Sequence, residues 1–173
     1  MQRRTSAGEI VLMGFDVDGV MTDGSLYFTP NGEEIKVFSS LDGHGLKMLR
    51  EAGIEVFIIS GRSSRALELR ATALGIDELH MGVEDKRRCL QALLARRGIE
   101  ASRAGYMGDD VVDLPVLRAC GFSAAPCGAH PFVREHVHYV TRAAAGYGAV
   151  REVCDHLLAA HGRLDGLHAG YLA

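Results

Sequence analysis

Short apolar runs alternate along this chain with longer stretches whose apolar positions recur at helical spacing, and the two patterns predict different elements. The runs predict buried strands at Ile10 to Asp16, Glu55 to Ser60, Glu78 to Met81, Ala104 to Gly108 and Gly121 to Ala124, with a short one near His138 to Val140. Helical spacing predicts helices near Gly43 to Ala52, Ser63 to Leu74, Lys86 to Arg97, Leu114 to Ala119 and Tyr147 to Ala160. Strands alternating with helices imply an α/β fold, a doubly wound, Rossmann-like parallel sheet. One interval departs from the alternation: Ser25 to Thr29 and Glu33 to Phe38 flank Pro30-Asn31-Gly32, which predicts a β-hairpin flap projecting beside Asp16. No internal repeat, low-complexity tract or linker interrupts the chain, so residues 1–173 read as one domain with a glycine-rich, flexible C-terminal tail from about residue 162.

The polar residues at the strand exits carry the candidate chemistry. Asp16 and Asp18 leave the first strand at the carboxyl edge, where open α/β sheets hold ligands. Two carboxylates one residue apart can divide labour, one attacking while the other transfers a proton. Acidic residues in such a loop are also common as solvated turn formers. Ser60, Gly61 and Arg62 offer a hydroxyl, a close-approach amide and a guanidinium at a helix start, a phosphate clamp or an ordinary turn capped by Ser63 or Ser64. Lys86 opens a helix, where the dipole disfavours a cation, so an anion nearby would account for it. Asp109, Asp110 and Asp113 follow the fourth main strand and are costly together unless a cation or a basic side chain neutralises them.

In chain order, Asp16-x-Asp18, Ser60, Lys86 and Gly108-Asp109-Asp110-x-x-Asp113 resemble the four signature motifs of the haloacid dehalogenase superfamily of phosphotransferases. The segments FDVDGVMTDG, ISGRSS, VEDK, GDDVVDLPVL and YVTRAAAGYGAVREVCDHLL narrow the resemblance to the capless subgroup that includes 3-deoxy-D-manno-octulosonate 8-phosphate phosphatases of lipopolysaccharide core synthesis. The intervals between motifs hold only the hairpin, single helices and a strand, leaving no room for a cap domain. Ala145 departs from the subgroup, which commonly has glycine there. The resemblance implies a Mg²⁺-dependent sugar phosphatase working through an aspartyl phosphate. It implies Asp16 as nucleophile and Asp18 as acid and base. Ser60, Gly61, Arg62 and Lys86 would bind phosphate or substrate, and Asp16, Asp109 and the main-chain carbonyl of Asp18 would hold the metal. Asp110 and Asp113 would stand behind these, Asp113 orienting Lys86. It further implies a homotetramer whose sites are closed by neighbouring flaps and tails. Hydrolysis of a related nonulosonate 9-phosphate of the sialic acid type, and an inactive oligomerisation module, are the alternatives.

Composition narrows the classes further. With 173 residues, 47% of them hydrophobic, the chain can bury a full core, and a net charge of -3 gives no basic footprint for nucleic acid. Cys89, Cys120, Cys127 and Cys154 lack metal-ligand spacing, as do the eight histidines, and buried thiols suit a reducing cytosol. The start, MQRRTSAGEI, lacks an apolar signal core and no stretch is long enough to cross a bilayer, so a cytoplasmic protein without membrane contact is expected.

Overall fold

The computed structural model describes residues 7–172; the arginines of the first segment, Arg3 and Arg4, lie outside them. The strands are β1 (Leu12–Phe15), β2 (Tyr27–Phe28), β3 (Glu34–Ile35), β4 (Glu55–Ile59), β5 (Glu78–His80), β6 (Ala104–Met107), β7 (Phe122–Ala125) and β8 (Tyr139–Val140). The helices are α1 (Ser40–Glu51), α2 (Arg65–Leu74), α3 (Lys86–Arg97), α4 (Leu114–Leu117), α5 (Pro131–Arg134), α6 (Ala149–Ala160) and α7 (Leu164–Gly170). Six strands form one sheet in the order β5-β4-β1-β6-β7-β8, every neighbouring pair parallel, while β2 and β3 form a separate antiparallel hairpin. This is the expected α/β fold, doubly wound and with the hairpin flap.

Side chains of a strand alternate between faces, and here the alternation sorts the core into two layers. Met13 and Phe15 of β1, with Val56 and Ile58 of β4, pack with Leu46 and Leu49 of α1, Leu67 and Leu74 of α2, and Val153 and Leu157 of α6. Leu12, Phe57, Ile59 and Tyr106 face the other way, against Leu90, Leu93 and Leu94 of α3 and Val116 and Leu117 of α4. Both sheet faces are covered, so the main strands read as continuous apolar runs. On the second face Gly14 leaves room for the Phe57 ring, since a Cβ there would lie 2.1 Å from Phe57 Cζ. Phe57 in turn packs against Tyr106, whose hydroxyl donates to the Ile59 carbonyl at 2.9 Å, one residue before Ser60.

Several bounds differ from the sequence pattern for local reasons. Helix α1 begins at Ser40 rather than near Gly43, because the Ser39 hydroxyl accepts the Asp42 N–H at 3.3 Å and caps the helix earlier. Asp42 is buried and accepts the Arg151 N–H at 2.9 Å, which ties the start of α1 to the first turn of α6. The hairpin strands are only two residues each, since nothing in the sheet pairs with them. Short α5 rests on Pro131 at its start and His130, whose ring accepts the Phe132 N–H. At the C-terminal end α7 packs Leu164 and Leu167 against the core, and the Tyr171 hydroxyl lies 3.0 Å from His44 Nε2.

Gly14→Ala is expected to destabilise the protein by about 1–3 kcal/mol, the usual cost of overpacking a filled core. Urea unfolding checks this, and an unchanged midpoint would show that Phe57 can move aside freely.

Candidate active site

Chain order and space diverge at β1. The chain leaves β1 for β4 and β5 on one side, then returns to β6 on the other, so the loops after β1, β4 and β6 open at a topological switch point. Asp16 follows β1 directly and its N–H donates to the Met107 carbonyl of β6 at 2.9 Å. Ser60 follows β4, its N–H bound to the His80 carbonyl at 2.8 Å, and Asp109 follows β6 by two residues. Lys86 is the first residue of α3, whose cap is the Asp85 side chain accepting the Arg88 N–H.

These elements bring Asp16, Asp18, Ser60, Gly61, Arg62 and Lys86 onto the wall of one cavity of about 320 Å³. Lys86 Nζ sits between two carboxylates, 2.9 Å from Asp16 Oδ1 and 2.6 Å from Asp113 Oδ1. Asp113 is fully buried, and its second oxygen accepts the N–H groups of Asp109 at 3.1 Å and Asp110 at 3.3 Å. Both Asp113 oxygens are therefore committed. Asp110 is exposed and caps the short 3-10 turn Val111–Asp113, accepting the Val111 N–H at 2.7 Å. The Ser60 hydroxyl accepts the Arg62 N–H at 3.2 Å, which closes the loop after β4 around the cavity.

Asp109 lies across from Asp16, and one ligand atom from each of Asp16, Asp109 and Asp113 falls within a 4.8 Å group. Its carboxylate receives no hydrogen bond from the described residues, and it also lines a second cavity of about 490 Å³ with Gly19, Ala145 and Tyr147. Gly19 is required there twice over: its φ is +83°, and a Cβ would lie 2.1 Å from Asp109 Oδ2.

Electrostatics set this cluster apart from an ordinary ion pair. Burial disfavours the charge on Lys86, yet Asp16 and Asp113 outweigh that and its pKa is raised, so the ammonium stays charged. Burial, reinforced by Asp113 and opposed by Lys86, pushes Asp16 up to about 6. Asp109 rises to about 7 through burial and then the charges of Asp16, Asp113 and Asp110. Three carboxylates against one ammonium leave two negative charges uncompensated when all are ionised. With Asp113 committed, the oxygens of Asp16 and Asp109 suit a small divalent cation, which such hard ligands favour.

Two residues that the sequence pattern does not single out enter from the flap. Lys36 Nζ approaches Asp18 Oδ1 at 2.5 Å and Glu34 Oε1 at 3.1 Å, and Arg62 Nη2 reaches the same Glu34 oxygen at 3.1 Å. The available signal was the period of two in Glu34-Ile35-Lys36-Val37, which puts both charged side chains on one side of the hairpin.

The chain belongs to the haloacid dehalogenase-like hydrolases, whose family model matches residues 26–121. Within that class it is 45% identical over 160 residues to the 3-deoxy-D-manno-octulosonate 8-phosphate phosphatase of Yersinia pestis, covering 92% of this chain and 86% of that relative. The crystal structure of the Yersinia pestis phosphatase superposes with a TM-score of 0.91 over 92% of this chain and 86% of that one. The enzyme of the same name from Moraxella catarrhalis, solved with a magnesium ion, a phosphate ion and a KDO molecule, is 38% identical and superposes with a TM-score of 0.94 over 97% of each chain.

The raised carboxyls make stability depend on pH with a definite sign. An unfolded aspartate titrates near 3.9, whereas Asp109 holds its proton up to about 7 in the folded chain. Between those values the folded state binds more protons than the unfolded one, so its stability falls as pH rises through the window. A divalent cation competes with the same protons. The stabilisation given by Mg²⁺ over EDTA in thermal unfolding should therefore grow from pH 5 to 8 and shrink in Asp109→Asn; a gap independent of pH would contradict this charge balance.

Proposed function

We infer that this chain is a magnesium-dependent phosphatase that hydrolyses 3-deoxy-D-manno-octulosonate 8-phosphate to the free sugar acid and inorganic phosphate. The observation that carries the reading is Asp16 at the mouth of β1, paired with Lys86 and facing the Asp109 carboxylate, which accepts no hydrogen bond from the described residues. This lies in a chain that shares 45% identity with phosphatases of that sugar phosphate over 92% of its length.

Asp16 is the nucleophile: its carboxylate oxygen bonds to phosphorus as the bond from phosphorus to the sugar oxygen breaks. Asp18 gives its proton to that departing oxygen, then takes one from the water that releases phosphate from Asp16. Lys86 and the Ser60 hydroxyl hold the transferring oxygens, while Gly61 and Arg62 border the substrate. Asp113 spends both oxygens fixing Lys86 and the loop that carries Asp109. Magnesium, held by the carboxylates of Asp16 and Asp109 and the main-chain carbonyl of Asp18, would supply the positive charge that lets an anionic phosphate meet an anionic nucleophile.

The working unit in this reading is a homotetramer of single-domain chains. Phe28, Ile35 and Val37 on the flap are 57%, 50% and 62% exposed, more apolar surface than a two-stranded hairpin holds stably in water by itself. Copies of the hairpin packed together would cover it and close sites that have no cap. No helix among the described residues is long and apolar enough to cross a membrane. The four cysteines are free, which suits a reducing cytoplasm.

Turnover should vanish in Asp16→Asn and fall by roughly 10²- to 10⁴-fold in Asp18→Asn, the range for positioned proton transfer. A steady-state panel of sugar phosphates tests the substrate: preference for a sialic acid 9-phosphate would reassign it, and full turnover by Asp16→Asn would remove the covalent route. Sedimentation should give a tetramer that Phe28→Ser with Ile35→Ser splits into smaller species, whereas an active wild-type monomer would end the shared-site reading.

A further inference from the structure

The hairpin turns two different faces to its surroundings. Ile35 and Val37 point outward, while Lys36 between them has a side chain only 3% exposed, the reverse of what lysine ordinarily does on a short exposed hairpin. It is held by the carboxylates of Asp18 and Glu34. Lys36 is not part of the cavity wall, but Asp18 and Arg62 are. Lys36 binds Asp18 Oδ1, and the nearest approach of Arg62 is to the other oxygen, Oδ2, at 3.9 Å. One oxygen of Asp18 is thus tethered to the flap and the other faces the cavity-lining arginine.

We propose that Lys36 is a positioning residue for proton transfer: it tethers Oδ1 of Asp18 so that Oδ2 stays turned toward the departing oxygen of the substrate. The proposal rests on the reading of Asp18 as the general acid. Glu34 serves the same end from behind, since its carboxylate oxygen bridges Lys36 and Arg62 and so locks the flap to the loop after β4. A carboxyl free to rotate about its side-chain bonds loses the alignment on which proton transfer depends, and a displacement of about 1 Å at a reacting group can cost about 10²-fold in rate. The flap thereby takes part in the chemistry without touching phosphate, and seating the hairpin and aiming the acid become one event.

Leaving groups that differ in their need for a proton separate this role from a general structural one. A sugar alkoxide must be protonated as it leaves, whereas nitrophenolate is stable without a proton. Single-turnover release of the sugar from 3-deoxy-D-manno-octulosonate 8-phosphate, and of nitrophenolate from p-nitrophenyl phosphate, isolates the first transfer from the later water step. In Lys36→Met the saturating rate with the sugar phosphate should fall about 10- to 100-fold, at least tenfold more than with the nitrophenyl ester, with little change in the half-saturating concentration. Lys36→Arg, which keeps the cation, should recover most of that difference. Equal losses on both substrates, no loss, or a rise in half-saturation alone would overturn the proposal, as would a selective loss that Lys36→Arg leaves untouched. Asp18→Asn serves as the reference: if it shows no leaving-group selectivity, the general-acid reading fails, whereas selectivity in Asp18→Asn but not in Lys36→Met leaves that reading standing and removes Lys36.

Discussion

A buried ammonium is stable only where anions surround it, and Lys86 places that demand on three separate parts of the chain. It opens α3, reaches Asp16 at the end of β1 and meets Asp113 in the loop beyond β6. Removing one partner of a buried pair leaves an uncompensated charge and typically costs 3–5 kcal/mol, so the three elements are held at fixed distances. The remaining geometry hangs from this arrangement. Asp113 passes the constraint to Asp109 and Asp110 through their main-chain N–H groups, and Asp16 passes it to Val17, whose N–H donates to Asp16 Oδ1 at 2.7 Å. One cation thereby orders the acid loop opposite Asp16, while the Asp109 carboxylate accepts no hydrogen bond from the described residues. Burial and neighbouring carboxylates raise the pKa of both Asp16 and Asp109, a perturbation that is typical of functional sites.

The sheet supplies the rigid frame. Period-two alternation along β1 and β4 divides their side chains between two helical layers, so each strand is held from both faces and its exit is fixed in direction. Gly14, Phe57 and Tyr106 form a chain of contacts across one face of the sheet that ends on the Ile59 carbonyl, immediately before Ser60. Core packing and the placement of the hydroxyl are therefore parts of one structure.

Much of this was legible in the residues. Parallel strands covered on both faces read as unbroken apolar runs, so the pattern places β1, β4 and β6 within a few residues, and it places the end of α3 where Gly98, with φ of +63°, stops the helix. The helical pattern places the start of α1 too late, because Gly43 and Gly45 weaken it while the cap at Ser39 lies outside it. The acidic and basic residues of the cavity were visible as exits of apolar runs. Lys36 and Glu34 were not, since their partners lie 18 and 28 residues away, Asp18 from Lys36 and Arg62 from Glu34. Periodicity tells which side of a hairpin a residue occupies, but not what that side meets.

The alternation in the flap also bears on how such an enzyme can diversify. Glu34 and Lys36 face the site while Ile35 and Val37 face outward, and both assignments follow from one register. Inserting or deleting a single residue in this stretch would exchange the faces at a stroke, sending apolar side chains toward Asp18 and charges toward the outer surface. Exchanging one side chain alters only its own face. Evolution of the flap is thus open to substitution and closed to small changes in length, so its inner and outer surfaces can drift independently only while the spacing between them is kept.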